Sequence, residues 1–335
     1  FVAVLIGPVG VGLIGTYQAI TGLVGTLSGL GIQSSAVRNV AAAVAAGQEQ
    51  EIGRTVLTLR RVALLTGLAG CLLLVAFAGP LSRYTFGSTE HALEIALLGL
   101  TVFLGHVAGG QIALVQGMRR IGDLARLNVL GAVSGTVVAL AFYTAMGLAG
   151  IVPALLAMAA FSLAWSWSFA RRIDVPKVNM TWGESIHAAG GMVRLGLAFM
   201  WNGLLVAIVA YVTRALITRE ISLEAVGLYA AAFALSGMFV NFVLQAMSAD
   251  YYPRLTAVAD DHEKLNRLVN EQSEIGLLLA IPGLLLTLSL APWIIRIFYT
   301  AEFLPAAVLL QWFILGCLGR VISWPLGFVM LALGK

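Results

Sequence analysis

Two basic side chains stand inside long apolar stretches of this 335-residue sequence. Arg320 lies near the middle of one stretch, and His106 lies near the middle of another. An arginine in a membrane span costs on the order of 3 kcal/mol, so it usually faces a protein interior or water. Its planar guanidinium stays charged and matches phosphate oxygens, which makes Arg320 a candidate phosphate ligand. A histidine can be neutral or charged near neutral pH, so His106 is a candidate switchable charge or proton relay.

Four further residues are candidate ligand contacts. Arg38 and Arg254 stand at the inner ends of two predicted helices, where they could attract an anionic headgroup. Asn241 and Gln245, with Ser248, are spaced i, i+4 and i+7, which places them on one polar stripe suited to sugar hydroxyls. Each set also has a structural interpretation. Arg320 could bond helix carbonyls, His106 could be a satisfied interior residue, and the stripe could join helices.

The composition identifies the elements that must position these residues. The chain is 60% hydrophobic and 11% charged, with a mean hydropathy of +0.94. A soluble domain carries about 25% charged residues. The apolar blocks are about 20 residues long, which fits helices and excludes the shorter alternating spans of a membrane β-barrel. The sequence therefore predicts an all-α, polytopic transmembrane helix bundle.

Nine full spans and a short N-terminal remnant are predicted. The spans are 13–34, 58–79, 93–115, 124–145, 147–170, 195–215, 225–247, 273–292 and 305–333. Of the 20 Lys and Arg residues, 15 fall on one side of the membrane when the loops alternate. Cytoplasmic loops hold such an excess, so that side is the cytoplasm. The pI of 9.3 then reflects topology, and a nucleic-acid partner is not expected. The segment 249–272 is predicted as an amphipathic surface helix.

The sequence repeats itself at a nearly constant offset. Val11-Gly12-Leu13 recurs as Val226-Gly227-Leu228, and Leu104-Gly105-His106 recurs as Leu318-Gly319-Arg320. The repeat predicts two six-helix lobes that enter the membrane from the same side as parallel repeats. We expect an N-terminal lobe over 1–172, a cytoplasmic linker over 173–194 and a C-terminal lobe over 195–335. The repeat also predicts a complete protein of twelve spans, of which this sequence lacks parts of three, and places His106 across a central cavity from Arg320.

The order and spacing of several segments resemble a known family. Gly7-Pro-Val-Gly-Val-Gly-Leu, Gly29-Leu-Gly31-Ile with Arg38, and Phe303 followed by Leu310-Gln311-Trp312 and Arg320 are similar to Wzx-type O-antigen and lipid III flippases. These belong to the multidrug/oligosaccharidyl-lipid/polysaccharide (MOP) flippase superfamily. The resemblance implies a multi-pass protein of the bacterial inner membrane. It also implies that an undecaprenyl-pyrophosphate-linked oligosaccharide moves from the cytoplasmic to the periplasmic leaflet by alternating access, with proton or sodium coupling as an option.

Two other functions remain open at this point. The first is an ion-coupled transporter of drugs or lipid II in the same superfamily. It usually needs carboxylates inside the membrane, and the acidic residues here lie in loops or at helix ends. The second is an O-antigen polymerase or ligase, which would need a large polar outer loop that the predicted spans do not leave. No cofactor motif, metal motif or enzyme active site is predicted.

Overall fold

The computed structural model describes residues 2–258 and 261–332, and most of these residues are helical. The helices are α1 (Val2–Gly29), α2 (Ile32–Ala45), α3 (Glu49–Phe86), α4 (Ala92–Gly117), α5 (Ile121–Met146), α6 (Ile151–Ala170), α7 (Trp182–Glu220), α8 (Leu223–Ala257), α9 (His262–Phe298) and α10 (Ala306–Ala332). Short 3-10 turns at Gly147–Gly150 and Ala301–Phe303 precede α6 and α10. Helices satisfy their own backbone hydrogen bonds, which an apolar solvent requires. The predicted all-α fold class is confirmed.

The predicted spans coincide with long apolar helices. Within residues 2–258 and 261–332, eight helical stretches are long and apolar enough to cross a membrane. One of them, Ile121–Ala170, contains both α5 and α6, which the 3-10 turn at Gly147–Gly150 separates. Each of the nine predicted spans therefore has its own helix. Several helices extend well beyond the apolar block, as α3 and α7 do with 38 and 39 residues.

Residues with positive φ interrupt the helices in the first part of the chain. Gly7 has φ 63° inside α1, directly before Pro8. Leu30 and Gly31, with φ 48° and 62°, separate α1 from α2. The span predicted over 13–34 is therefore wrong at both ends, because the helix is continuous from Pro8 to Gly29 and stops before residue 34. A hydropathy profile cannot reveal a residue with left-handed backbone, because glycine and leucine both fit an apolar segment.

Side-chain caps define where two long helices begin. Thr181 accepts a hydrogen bond from the Glu184 amide, and Glu184 accepts one from the Thr181 amide, so α7 starts with a complete capping box. Asp261 caps α9 through the amides of Glu263 and Lys264. The Lys264 side chain, 2.9 Å from the carboxylate, and the capping amides hold the pKa of Asp261 below its ordinary value. The predicted linker 173–194 is thus already helical from Trp182.

The amphipathic surface helix predicted over 249–272 is wrong as a separate element. Its first part is the end of α8, which extends to Ala257, and its second part is the start of α9 from His262. Residues 259 and 260 lie outside the described part of the chain. The polar residues that suggested a surface helix are instead extensions of the two long helices beyond their apolar blocks.

The chain divides into two compact units. Unit 1 consists of Phe1–Ile6 and Leu13–Leu223, and unit 2 consists of Gly7–Gly12 and the residues from Glu224 onward. Large side chains fill unit 1, and the largest that are fully buried include Tyr17, Ile20, Leu74, Ile95 and Ile151. In unit 2, Tyr251 and Leu255 are fully buried and contact Leu265 and Leu268 of α9. The lobes at 1–172 and 195–335 follow from the sequence repeat and stay a prediction.

Helix α7 packs against the rest of unit 1 from Ser185 to Gly196 and again at Tyr211 and Ala215. A Cβ atom on Gly31 would collide with the Gly196 carbonyl, so the two backbones meet with no room for a side chain. Further along the helix, the Tyr211 hydroxyl lies 2.9 Å from the Thr85 hydroxyl in a buried hydrogen bond. The helix predicted to open the second lobe therefore belongs, by its contacts, with the first unit.

The segment before α7 is held by one arginine. Arg61 of α3 donates to the carbonyls of Met180 and Thr181 at 3.0 and 2.8 Å and to the Ser185 hydroxyl at 2.7 Å. Its guanidinium carbon lies 4.7 Å from the centre of the Trp182 ring, which adds a cation–π contact. Gly53 contacts the Pro176 carbonyl so closely that a Cβ there would collide with it. The residues from Pro176 to Ser185 are thereby fixed on α3.

Replacing Arg61 should loosen this attachment. We expect Arg61→Ala to lower the free energy of unfolding by about 2 kcal/mol, because three charge-assisted hydrogen bonds disappear. Denaturant unfolding of the detergent-solubilised protein measures the change. Arg126→Ala is the control, since Arg126 is 70% exposed and makes a single 3.4 Å ion pair with Asp123. An exposed pair contributes little, so equal losses in the two variants would contradict the assignment.

The contact between Gly31 and Gly196 supplies a second prediction. Gly31→Ala introduces both left-handed strain and a collision with the Gly196 carbonyl. Gly47 also has a positive φ of 66° but has open space around its Cα, so Gly47→Ala introduces the strain alone. We expect Gly47→Ala to cost about 1 kcal/mol and Gly31→Ala clearly more. Unfolding of both variants in the same detergent checks this, and similar losses would show that the α2–α7 approach is unimportant.

Candidate functional site

His106 lies in α4 and lines a cavity of about 390 Å³ inside unit 1. We call this space the His106 cavity. Its wall contains seven glycines, Gly22, Gly25, Gly29, Gly31, Gly105, Gly110 and Gly203, together with the polar side chains of Thr26, Gln33, Ser34 and Thr66. Because glycines expose backbone, the wall offers carbonyl oxygens in a region that hydropathy describes as apolar. A Cβ on Gly29 would lie 3.0 Å from His106 Nε2, so the glycine makes room for the ring.

The two ring nitrogens of His106 have different partners. Nδ1 lies 2.9 Å from the Val102 carbonyl oxygen, which can only accept, so Nδ1 carries a proton. Nε2 lies 3.2 Å from the Ser28 hydroxyl, which can donate to a neutral ring or accept from a charged one. The ring can therefore gain or lose the Nε2 proton while both hydrogen bonds persist. This arrangement suits a proton-exchanging group.

Arg320 lies in α10 and lines a cavity of about 330 Å³ inside unit 2, which we call the Arg320 cavity. Its side chain is exposed, and within residues 2–258 and 261–332 its guanidinium makes no hydrogen bond or ion pair. This differs from the structural interpretation, in which the guanidinium bonds helix carbonyls. A charge without a protein partner in such a cavity can be offered to an anionic ligand.

The Arg320 cavity also holds an amide and two aromatic rings. Asn241 of α8 lines the same space, together with Phe233, Phe313 and Gly316. The rings of Phe233 and Phe313 pack edge to face at 5.6 Å between centres. The structure thus brings Asn241 to Arg320, although 79 residues separate them in sequence. Guanidinium, amide and aromatic groups together can meet a phosphate, a hydroxyl and an apolar sugar face.

The remaining predicted residues lie elsewhere. Gln245 is exposed one turn beyond Asn241 on α8 and is not in the lining of the Arg320 cavity, and the Ser248 side chain lies outside the described residues. Arg254 lines a separate space of about 370 Å³ with Lys264, Arg267 and Glu271. Arg38 is exposed on α2. Of the two arginines predicted at inner helix ends, Arg254 thus stands in a basic cluster with Lys264 and Arg267.

Sequence reasoning missed one further cavity of unit 1. This space of about 780 Å³, the linker cavity, lies between the end of α2, the start of α3 and the start of α7. Its polar lining consists of Asn39, Gln48, Glu51, Arg54, Thr55, Thr58, Glu184 and His187. Two signals could have revealed it. The residues Glu51, Arg54, Thr55 and Thr58 are spaced i, i+3, i+4 and i+7 on one helix face, and Thr181 with Glu184 forms a capping-box sequence.

No metal centre accompanies these cavities. Across residues 2–258 and 261–332, no three His, Cys, Asp or Glu side chains come together where they could hold an ion. Hydrogen-bonding and charged side chains line all four spaces described above, of which two lie in unit 1 and two lie in unit 2.

Solved structures with the same fold are membrane transporters. An inward-facing multidrug resistance MATE family transporter of the MOP superfamily matches 99% of this chain and 80% of its own, with TM-score 0.76 and 16% identity. An outward-facing structure of such a transporter matches 99% of this chain and 81% of its own, with TM-score 0.63 and 17% identity. These likenesses show that the chain has the fold of these transporters.

Two sequence relatives and a family model indicate which protein family the chain belongs to. The lipid III flippases of Escherichia coli (strain K12) and Shigella flexneri are each 23% identical to this chain over 342 residues. Each alignment covers 98% of this chain and 79% of the relative. The family model described as "Polysaccharide biosynthesis protein" matches residues 1–308, from the start of α1 into α10. With apolar helices, polar cavities and a match over most of its length, the chain belongs to this polysaccharide biosynthesis protein family.

Proposed function

We propose that the protein is a flippase for undecaprenyl-pyrophosphate-linked oligosaccharides such as an O-antigen repeat unit. It moves this lipid from the cytoplasmic to the periplasmic leaflet of the bacterial inner membrane by alternating access. The proposal rests on the Arg320 guanidinium. This group lies inside a predicted membrane span, lines a cavity, and makes no hydrogen bond or ion pair with the residues that the structure describes. The lipid III flippase relatives support a cargo of lipid-linked sugar.

Each predicted residue has a role in the proposal. Arg320 holds the pyrophosphate, and Asn241 bonds to a phosphate oxygen. Gln245 extends this polar stripe toward Arg254, whose basic cluster with Lys264 and Arg267 attracts the anionic headgroup. Arg38 contributes positive charge at the inner end of the first lobe. His106 exchanges a proton during the transport cycle, which makes proton coupling our preferred form of energy input, with sodium coupling as the alternative.

A second candidate function is ion-coupled transport of drugs or lipid II. Glu94 favours it, because one oxygen of this carboxylate is buried without a hydrogen-bond partner in the described chain. Glu94 stands in the first turn of α4, near the Tyr17–His91 hydrogen bond of 3.0 Å. That position is a helix end, whereas Arg320 stands inside a span, so the charge placed within the spans favours an anionic cargo. An enzyme that acts on the same lipid carrier is the least favoured of the three functions.

Complementation tests the role of Arg320. The full-length gene is expressed in a strain that lacks its own O-antigen or lipid III flippase, and surface glycan is measured. We expect Arg320→Ala to reduce surface glycan about tenfold or more at equal expression, since a charge-assisted contact is lost. Arg320→Lys should keep part of the activity, because it retains the charge without the planar fork.

Arg296→Ala is the matched control for that experiment. Arg296 lies at the end of α9 against Trp293 rather than in the Arg320 cavity, so its loss should leave the glycan level near wild type. Arg320→Ala with normal glycan would refute the phosphate role. Wild type that is well expressed but restores no glycan, while it exports cationic dyes, would favour the drug transporter.

The histidine supplies a separate prediction about pH. We expect transport into proteoliposomes to vary between pH 5.5 and pH 8, and His106→Gln to remove that variation, because glutamine keeps hydrogen bonding but binds no proton. Ser28→Ala is the comparison variant. It removes the Nε2 partner and leaves the Nδ1 bond to Val102, so the pH dependence should shift rather than vanish. A His106→Gln protein with the wild-type pH profile would exclude the histidine as the coupling group.

A further inference from the structure

We propose that the linker cavity binds the sugar portion of the lipid-linked glycan, as a site distinct from the Arg320 cavity. This inference rests on the proposed function, which supplies a glycan as cargo. The cavity has a volume of about 780 Å³, within the range of about 300 to 1,000 Å³ typical of small-molecule sites. It is the largest of the cavities described above.

The side chains around the linker cavity suit hydroxyl groups. Asn39 and Gln48 supply amides, Thr55 and Thr58 supply hydroxyls, and Glu51 supplies a carboxylate. Such groups donate to and accept from neighbouring hydroxyls, as a pyranose ring requires. Apolar lining comes from methionine and alanine side chains, including Met180 and Met192, which could contact the C–H faces of a sugar.

The charges of the linker cavity argue against a pyrophosphate ligand. Arg54 brings one positive charge, while Glu51 and Glu184 bring two negative charges. The lining therefore carries more carboxylates than guanidinium groups, which disfavours a pyrophosphate there. A neutral polyhydroxylated ligand meets no such repulsion, and a carboxylate is a strong acceptor for its hydroxyls. The chemistry therefore separates this cavity from Arg320, which can hold an anion.

Thr58 is the strongest sign that a ligand is expected. Its side chain is 1% exposed, lines the cavity, and its Oγ1 has no hydrogen-bond partner in the described chain. A helical threonine ordinarily donates to the carbonyl four residues earlier, as Thr66 does to Val62 at 2.9 Å. A buried hydroxyl without a partner is costly, and rotation of the Thr58 side chain toward a ligand hydroxyl in the cavity would remove that cost.

The wall formed by the segment before α7 is preorganised. Arg61 holds the carbonyls of Met180 and Thr181, and the Glu184 carboxylate is fixed by the Thr181 amide at 2.6 Å and hydroxyl at 3.0 Å. Polar groups held in place before binding lose little entropy when a ligand arrives. One of the three walls of the cavity is thus held in place before a ligand binds.

Binding of two purified lipids to the full protein in detergent tests the proposal. The probes are undecaprenyl pyrophosphate carrying N-acetylglucosamine and undecaprenyl pyrophosphate alone. We expect the wild type to bind the sugar-bearing lipid more tightly than the sugar-free lipid. Thr58→Val should weaken binding of the sugar-bearing lipid about three- to tenfold, the effect of one hydrogen bond, and leave the sugar-free lipid unchanged. Asn39→Ala should act in the same direction.

Thr136→Val is the matched control. Thr136 is exposed on α5, donates to the Ala132 carbonyl at 2.8 Å and lies in neither cavity of unit 1. Thr58→Val is isosteric and removes a hydroxyl that has no hydrogen-bond partner among the residues the structure describes, so the variant should be at least as stable as wild type. Thermal unfolding of the apo protein verifies this.

The possible outcomes separate the two proposals. If wild type binds neither lipid, the flippase assignment itself fails. If wild type binds both lipids equally, or if Thr58→Val and Asn39→Ala leave its preference for the sugar unchanged, the flippase assignment stands and the sugar site is refuted. A loss of preference that Thr136→Val also shows would refute the site as well, because the effect would then be unspecific.

Discussion

A membrane interior has no water to hydrogen-bond with peptide groups, and this constraint governs every feature of the protein. Helices satisfy it along most of the chain, so each interruption must be accommodated within the protein. The left-handed residues at Leu30 and Gly31 occur where the chain meets the Gly196 backbone. Because hydrogen-bond partners are scarce there, a polar side chain is stable only when the protein or a ligand supplies one. His106 takes a carbonyl and a hydroxyl from its own unit, whereas Arg320 and Thr58 have none in the described chain.

The sequence predicted what depends on hydropathy and missed what depends on local backbone chemistry. Nine apolar blocks became nine long helices, because burial in lipid is a property of a 20-residue segment and tolerates errors at single positions. The 14-residue α2 was absent from the prediction, since it is too short to span and contains Arg38. Thr181 and Glu184 mark the start of α7, but a capping signal in a polar segment leaves no trace in hydropathy.

The candidate site divides in the same way. Arg320 and His106 were found from sequence because a basic residue in an apolar span is unusual in itself. That Asn241 joins Arg320, while Gln245 does not, depends on how α8 and α10 rotate against each other, and no single-chain pattern gives that rotation. The linker cavity is a third case. Its residues come from three elements whose approach is set by Arg61 and by close glycine contacts, which are tertiary properties.

The surroundings of His106 and Arg320 carry a consequence for how such a protein evolves. If the two halves descend from a duplication, the helices have been kept while the side chains at equivalent positions have diverged. One position now holds a ring tied to Ser28 and Val102, and the other holds an untied guanidinium. A chimera made of two copies of either half would have the same helices and two identical functional groups. Such a chimera would separate the symmetry of the fold from the function of the present protein, in which the two halves carry different functional groups.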